Sequence, residues 1–166
     1  MVVNKEQRMG VFVDVQNMYY SARALYNSKV NFKEILREAV NGRKLVRAIA
    51  YGVRAGEKDE ESFFKALDGI GFEVKLKDLQ VFYGGNKKAD WDVGLAIDSI
   101  ELAPKLDVVV LASGDGDYIP LVEHLKRALG CRVEVLAFGR SCSGKLKEAC
   151  DEFVDMDKSK KFVFTK

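Results

Sequence analysis

An uninterrupted apolar run at residues 108–112 is the feature that most constrains how this chain folds. Half-exposed strands alternate apolar and polar residues, so a run without alternation predicts a strand that is buried on both faces of a sheet. The run leads directly into Ser-Gly-Asp-Gly-Asp at residues 113–117. Because loops at the carboxyl ends of parallel strands usually carry the functional groups of open α/β sheets, this segment also predicts an acidic site.

The rest of the sequence alternates between strand-like and helix-like patterns. Strands are predicted at residues 10–15, 45–53, 72–76, 108–112 and 132–138, and helices at 18–26, 31–40, 59–70, 92–102, 118–129 and 143–153. Asn31 and Glu34 form a capping box at the start of one helix, and Gly71 marks the end of another. This alternation predicts a three-layer α/β fold, with a mainly parallel sheet and helices on both faces.

Three details of this pattern bear on function. Residues 77–91 form an irregular segment with a short strand at 80–83, and long loops in compact domains are often functional. Residues 162–164 predict a short edge strand. The helix at 92–102 is expected to pack through an apolar face that includes Val93, Ala96, Ile97 and Ile100.

Composition narrows the classes of protein to which the chain can belong. Its 166 residues predict a single domain with a hydrophobic core, and a net charge of +2 is too small to indicate a nucleic-acid partner by itself. The three cysteines lack the spacing of a zinc site, and the single histidine, His124, is expected on an exposed helix face. An odd number of cysteines, no signal-peptide pattern and no run long enough for a membrane span predict a cytoplasmic protein without membrane attachment.

Acidic side chains follow two of the predicted strands. Asp14 ends the first strand and Asp115 follows the fourth, so the two side chains meet at one sheet edge if both strands are central and parallel. Two carboxylates about 4 Å apart repel by roughly 4 kcal/mol at an effective dielectric constant of about 20. A divalent cation relieves that repulsion, and oxygen ligands favour magnesium or manganese. The acids therefore predict phosphate chemistry assisted by a metal ion.

A purely structural role explains several of these residues equally well. Asp117 and Asp92 stand at helix starts, where a carboxylate caps the free backbone N–H groups, and Asn17 is placed to cap the helix after the first strand. Capping does not readily explain Asp14, which ends an apolar strand, or Asp115, which lies two residues before the expected cap.

Three motifs, in this order, resemble the NYN domain, within the LabA-like branch of the PIN-like nuclease superfamily. They are Phe-Val-Asp-Val-Gln-Asn at residues 12–17, Lys-Ala-Asp-Trp-Asp-Val at 88–93, and Ser-Gly-Asp-Gly-Asp-Tyr-Ile-Pro-Leu-Val at 113–122. The closing helix at 143–153 is also similar to that branch. The resemblance predicts one NYN or PIN-like domain over residues 1–166, with its core at about 10–154.

The resemblance implies a PIN-like fold with strand order 3-2-1-4-5, a site for Mg²⁺ or Mn²⁺, and hydrolysis of RNA phosphodiester bonds. The acidic residues that it implies as catalytic and metal-binding are Asp14, Asp92, Asp115 and Asp117, with weaker claims for Asp90 and Asp98. Asn17 would act with them by orienting Asp14, a ligand or the scissile phosphate. Ser113 would contact the metal-binding residues without binding the ion itself. The partner implied is single-stranded or structured RNA.

Basic and aromatic residues near the same sheet edge predict contacts with that RNA. Those expected to bind substrate are Lys87, Lys88, Arg54 and Arg140, which would neutralise phosphates, and Tyr19, which would stack on a base. A solvated loop for the lysines and core packing for the aromatic residues are the alternatives. The Gly-x4-Gly-Lys pattern at 139–145 lacks the following Ser or Thr of a P-loop, which favours a turn and a helix start.

The function predicted from the sequence is a metal-dependent ribonuclease. Two alternatives stay open. One is a regulatory or RNA-binding module that retains the acidic pocket without turnover. The other is a metal phosphohydrolase that acts on small phosphate esters.

Overall fold

The computed structural model describes residues 4–81, 83–85 and 87–164, and the side chains of residues 81, 87 and 88 lie outside the description. The elements in chain order are β1 (Arg8–Asp14), α1 (Val15–Tyr26), α2 (Phe32–Val40), β2 (Lys44–Arg54), α3 (Glu60–Ile70), β3 (Glu73–Asp78), β4 (Gln80–Val81), β5 (Lys87–Lys88), α4 (Asp92–Leu102), β6 (Val108–Ala112), α5 (Ile119–Arg127), β7 (Arg132–Ala137), α6 (Gly144–Ala149) and β8 (Glu152–Asp155). Short 3-10 turns cover Ala103–Lys105, Gly116–Tyr118, Gly139–Ser141, Met156–Lys158 and Lys160–Phe162.

Six strands form one sheet in the order β3-β2-β1-β6-β7-β8, and every neighbouring pair is parallel. When the six strands of this sheet are renumbered without β4 and β5, which form a separate pair, the order is 3-2-1-4-5-6. This confirms the predicted PIN-like order 3-2-1-4-5 and adds a sixth strand at one edge. The centre of the sheet is β1 beside β6, with Val13 opposite Ala112. The carboxyl ends of these two strands therefore lie side by side, as the acidic motifs require.

The added strand corrects the predicted helix at 143–153. The helix α6 ends at Ala149, and β8 then pairs with β7, with Phe153 opposite Val135. Four residues are too few to show a strand period in the sequence, and Phe153 continues the apolar spacing of the helix before it. The predicted edge strand at 162–164 is reduced to one antiparallel bridge between Val163 and Val30.

Apolar side chains bury both faces of the sheet. All five residues of β6 are buried, which confirms that the run at 108–112 is a strand covered on both sides. Leu67 of α3 and Met18 of α1 belong to the core on one face, and Leu95 of α4 and Leu125 of α5 belong to the core on the other. The three-layer α/β prediction is confirmed.

The helix α4 packs through only part of the face predicted, since Ala96 and Ile100 contact the core while the other two residues do not. Leu95 and Ser99 are its buried residues, whereas Val93 and Ile97 are 70% and 50% exposed. The reason is that apolar residues lie on two opposite sides of this helix, so their spacing alone does not select the side that faces the sheet. The predicted stripe is on one side, and Leu95 and Leu102 are on the other. An apolar stripe is therefore left on the outside of α4.

Several local predictions agree with the structure. The side chain of Asn31 caps α2 by accepting a hydrogen bond from the backbone N–H of Glu34, and Gly71 ends α3 with a φ of +125°. His124 is exposed on α5. The irregular segment contains the short antiparallel pair of β4 and β5. Among the described residues, every helix is too short or too polar to cross a membrane.

Candidate metal centre at the carboxyl edge of the sheet

Three carboxylates from separate parts of the chain converge where β1 and β6 end. Asp14 is the last residue of β1, Asp115 follows β6, and Asp92 is the first residue of α4. One carboxylate oxygen from each lies within 4.8 Å of the other two. Two of these acids follow adjacent parallel strands, and the third is brought in by the helix that packs over β1.

Asp14 is held by three hydrogen bonds. Its Oδ1 accepts from the backbone N–H of Asn17 at 3.2 Å, and its Oδ2 accepts from the hydroxyls of Ser113 and Tyr118, both at 3.3 Å. The bond from Asn17 makes Asp14 the N-cap of α1. The expectation that Asn17 caps this helix, and that capping does not explain Asp14, is wrong, because the helix begins at Val15 with no loop after the strand.

The side chain of Asn17 instead connects α1 to the acidic loop. Its Oδ1 accepts a hydrogen bond from the backbone N–H of Gly114 at 2.9 Å. Asn17 thus orients Asp14 through its backbone and the loop before Asp115 through its amide. The orienting role that the family resemblance implies for Asn17 stays a prediction.

The acidic loop is fixed by short local bonds. Ser113, which is fully buried, accepts from the backbone N–H of Asp115 at 3.2 Å while its hydroxyl donates to Asp14. Asp115 Oδ1 accepts from the backbone N–H of Asp117 at 2.9 Å. The capping residue is therefore Asp115 and not Asp117, because a 3-10 turn at Gly116–Tyr118 precedes α5.

The loop after β7 packs tightly against the acidic loop. A Cβ added at Gly114 would lie 3.0 Å from the Cα of Cys142 and 3.0 Å from the carbonyl oxygen of Ser141. The backbone N–H of Ser143 donates to the carbonyl of Gly114 at 3.0 Å. Only glycine allows this approach, so the glycine before Asp115 serves packing. The Gly-x4-Gly-Lys segment is a 3-10 turn followed by α6, as predicted.

Asp92 is positioned by the residue before it. The indole N–H of Trp91 donates to the carbonyl of Gly52 at 2.8 Å, and the Trp91 ring packs on Tyr51 at a centroid distance of 5.3 Å. The Lys77 ammonium lies 4.4 Å from the centre of the Trp91 ring and donates to the carbonyl of Asp90 at 2.8 Å. These contacts fix the start of α4 against β2 and β3.

The electrostatics of the cluster reflect burial first and crowded negative charge second. Burial, together with the charge of Asp92, raises the pKa of Asp14 from 3.8 to about 6, against the effect of its three hydrogen bonds. Burial also raises the pKa of Asp92, with contributions from Asp115, Asp90 and Asp117, while a hydrogen bond from Tyr118 lowers it. Burial, together with the charges of Asp14 and Asp92, raises the pKa of the Tyr118 hydroxyl and keeps it protonated.

Asp117 and Asp90 lie beside the cluster without completing it. Both line the pocket of about 300 Å³ at this edge of the sheet. The residues that line it are Asp14, Gln16, Asn17, Tyr51, Asp90, Trp91, Asp92, Asp115 and Asp117. Asp98 is not part of the cluster or of the pocket lining. Its carboxylate accepts hydrogen bonds from the Tyr51 hydroxyl at 2.8 Å and from Lys75 Nζ at 2.7 Å. Its suggested ligand role is thus replaced by an ion pair that supports Tyr51.

The residues expected to bind substrate do not line this pocket in the described part of the chain. Arg54 pairs with Glu61 and Asp78, and Arg140 pairs with Asp157. Tyr19 is also outside the pocket lining, and its hydroxyl accepts a hydrogen bond from Arg23 at 2.9 Å. The side chains of Lys87 and Lys88 lie outside the described residues. Ion pairing explains the arginines, because the strand ends that carry them are also rich in acids.

Sequence reasoning missed several residues that shape the site. The sequence pattern predicts Tyr118 only as the start of a helix, although a tyrosine directly after the second acid of the loop is a signal for a role in the site. Gln16 lines the pocket because it follows Asp14 on the first turn of α1. No signal in the sequence identified Lys77 or Tyr51, since their roles depend on how β2 and β3 pack against α4.

The donor set suits a hard divalent cation. Carboxylate oxygens are the ligands that magnesium, manganese and calcium prefer, and cysteine and histidine are absent from the lining of this pocket among the described residues. A cation here would also stabilise the ionised form of Asp14, which burial and the charge of Asp92 disfavour. The residues that would hold it are Asp14, Asp92 and Asp115.

Comparison with known proteins agrees with this arrangement. The family model for the NYN domain matches residues 8–157. The chain is 28% identical over 174 residues to the low amplitude and bright protein LabA of Synechococcus elongatus, covering 96% of this chain and 89% of that protein. It is also similar to the crystal structure of a protein of unknown function from Vibrio parahaemolyticus. That match has a TM-score of 0.89 and 35% identity, and covers 99% of this chain and 100% of the other.

Proposed function

The chain belongs to the NYN domain family, and from that membership together with its acidic site we propose that it is a metal-dependent ribonuclease. The observation that carries the proposal is the convergence of one oxygen each from Asp14, Asp92 and Asp115 within 4.8 Å. Mg²⁺ or Mn²⁺ is the proposed cation, and RNA is proposed as the substrate from the resemblance to PIN-like nucleases.

A divalent cation bound by such a site polarises a phosphoryl oxygen and lowers the pKa of a nearby water. The chain supplies the remaining functions. Ser113 and Tyr118 hold the Asp14 carboxylate in one orientation through its Oδ2. Asn17 fixes the backbone before Asp115 and so holds Asp115 in place relative to Asp14.

We assign proton transfer to Asp117. Its side chain is exposed and lines the pocket beside Asp92, outside the cluster of three acids. In the proposed reaction the oxygen of water bonds to phosphorus and the bond from phosphorus to the leaving ribose oxygen breaks. The proton of the attacking water passes to the Asp117 carboxylate, and the leaving oxygen takes a proton from solvent.

Replacement of one strand-end acid tests the proposal. Asp115→Asn should lower manganese-dependent cleavage of single-stranded RNA by at least about 100-fold, since even residues that only support metal ligands cost about 10–100-fold when replaced. The matched control is Asp98→Asn, which removes a carboxylate from the same region but not from the cluster. Cleavage that survives Asp115→Asn in purified protein would show that the assignment is wrong.

A hydrolase of small phosphate esters is the second candidate, and one observation favours it. Lysine and arginine are absent from the lining of the acidic pocket within the described residues, so a long polyanion finds no counter-charge there. A panel of nucleotides and phosphate monoesters assayed beside RNA separates the two, because only the second candidate predicts faster turnover of the small esters. RNA binding without cleavage would instead indicate a non-catalytic module.

A further inference from the structure

An apolar groove lies between α4 and α5, directly beside the acidic pocket. It has a volume of about 380 Å³. Its apolar lining comes from Val93, Ala96, Ile97 and Ile100 on α4 and from Pro120 and Leu121 on α5. His124 adds a polar side chain to the lining on α5.

The α4 wall of this groove is an apolar stripe in which Val93 and Ile97 are exposed and Ile100 is partly buried. Val93, Ile97 and Ile100 follow one another at intervals of four and three residues, which places them on one side of the helix. This side is distinct from that of Leu95 and Ser99, which face the core. Contiguous exposed apolar surface of this kind is typical of a site that binds a ligand or partner.

The groove is continuous with the candidate metal centre. Asp92 and Asp117 line both the groove and the acidic pocket, and Tyr118, which bonds to Asp14, lines the groove. A chain molecule whose phosphate lies at the three carboxylates can therefore reach the apolar stripe with its neighbouring group.

The chemistry of the groove selects which part of such a molecule it accepts. Lysine and arginine are missing from its lining in the part of the chain that the structure describes, so a phosphate gains no counter-charge. A ligand with an uncharged, flat apolar face would pack well on the aliphatic side chains of the groove. The His124 imidazole offers a hydrogen bond to a polar edge of such a ligand. A volume of about 380 Å³ lies at the lower end of the range for small-molecule sites, about 300–1,000 Å³.

We propose that this groove binds a nucleobase of single-stranded RNA, next to the phosphate that lies at the acidic pocket. The inference rests on the proposed ribonuclease function and adds a determinant of substrate recognition to it. Aliphatic contacts do not distinguish the hydrogen-bonding groups of different bases. The groove therefore increases the affinity for any nucleotide that carries a base and discriminates only weakly between bases.

Two probes and two double variants test the groove. The probes are a short oligouridylate and a strand of equal length in which every residue is abasic. The groove variant is Val93→Ser with Ile97→Ser. The matched control is Leu45→Ser with Val46→Ser, which removes two exposed aliphatic side chains at the amino-terminal end of β2, at the opposite edge of the sheet.

We expect the wild type to cleave the oligouridylate with a kcat/KM about tenfold higher than the abasic strand, the effect of ~1.4 kcal/mol. The groove variant should lose this preference while its rate on the abasic strand and its Mn²⁺ affinity, measured by calorimetry, stay unchanged. The control variant should keep the preference. Ile97→Ala serves as a second groove variant if the double variant melts early, and it should reduce the preference in part.

The outcomes separate the two proposals. Wild-type protein that cleaves neither strand overturns the ribonuclease function and the subsite together. Normal cleavage by the groove variants with the preference intact overturns the subsite alone. Loss of a wild-type dimer in the groove variant, measured by sedimentation with the preference intact, would also overturn it, because the groove would then be a protein interface.

Discussion

The charge of Asp14 should cost the metal-free protein stability, and its replacement by asparagine should recover that loss. The pKa of Asp14 is raised from 3.8 to about 6 in the folded protein. Between these values the folded state holds a proton that the unfolded state has released, so stability falls as the pH rises through this window. A shift of about two units corresponds to about 3 kcal/mol, at ~1.4 kcal/mol per unit.

Asp14→Asn keeps the cap and removes the charge. Asparagine is as good an N-cap as aspartate, so its Oδ1 retains the bond from the backbone N–H of Asn17. Its NH₂ group faces the hydroxyl oxygens of Ser113 and Tyr118, both of which accept hydrogen bonds. We therefore expect the variant to be about 1–3 kcal/mol more stable than the wild type at pH 7.5 in EDTA, which is about 5 °C in Tm.

Added Mn²⁺ should cancel or reverse this difference in stability. Saturation at about 100 times the Kd stabilises the wild type by about 2.7 kcal/mol, whereas the variant lacks one of the three carboxylates and should gain little. The assay is urea denaturation at pH 7.5 and pH 4, with EDTA or Mn²⁺. Asp98→Asn is the control, since it should lose stability with its Lys75 partner yet keep the full response to Mn²⁺.

The reasoning is refuted in either of two ways. One is an Asp14→Asn variant that is no more stable than the wild type in EDTA at pH 7.5. The other is a stability difference that does not shrink on going from pH 7.5 to pH 4, where Asp14 is largely protonated in the folded state. Either result would mean that burial and the nearby acids do not destabilise the Asp14 carboxylate.

Three further substitutions follow from the geometry. Tyr118→Phe should weaken Mn²⁺ binding about tenfold in a calorimetric titration, because Asp14 loses an orienting hydroxyl; an unchanged Kd would contradict this role. Asp117→Asn should lower single-turnover cleavage by about 100-fold or more with Mn²⁺ affinity preserved, and a matching loss of affinity would instead make Asp117 a ligand. Gly114→Ala should lower the free energy of unfolding by about 1–3 kcal/mol in urea, since the new methyl group meets Cys142 at 3.0 Å; full stability would show that the loops separate easily.

Much of the fold could be predicted because its patterns are local. The apolar run at 108–112, the capping box at Asn31 and the helix stop at Gly71 each depend on a few neighbouring residues. The strand β8 and the buried face of α4 could not be predicted in this way. A strand of four residues shows no clear period, and a helix with apolar residues on two opposite sides has no preferred side until the sheet is in place.

The site shows the same division between local and distant information. The order of the strands brings Asp14 and Asp115 to one edge, and both lie in motifs that the sequence displays. The arrangement of the support does not follow from those motifs, because Ser113 and Tyr118 reach Asp14 from 99 and 104 residues away along the chain. Contacts of this range depend on packing between elements, which spacing in the sequence does not encode.

Asp14 also shows why a capping role does not argue against a metal-binding role. An ionised carboxylate has about four acceptor positions. Three donors approach it in this structure, namely the backbone N–H of Asn17 and the hydroxyls of Ser113 and Tyr118, which leaves about one position for a cation. The hydrogen bonds that make Asp14 a helix cap therefore also fix the carboxylate for an ion. A cap alone needs no charge, and asparagine would serve, so the ionisable group at this position is accounted for by the ligand role proposed for Asp14 and not by capping.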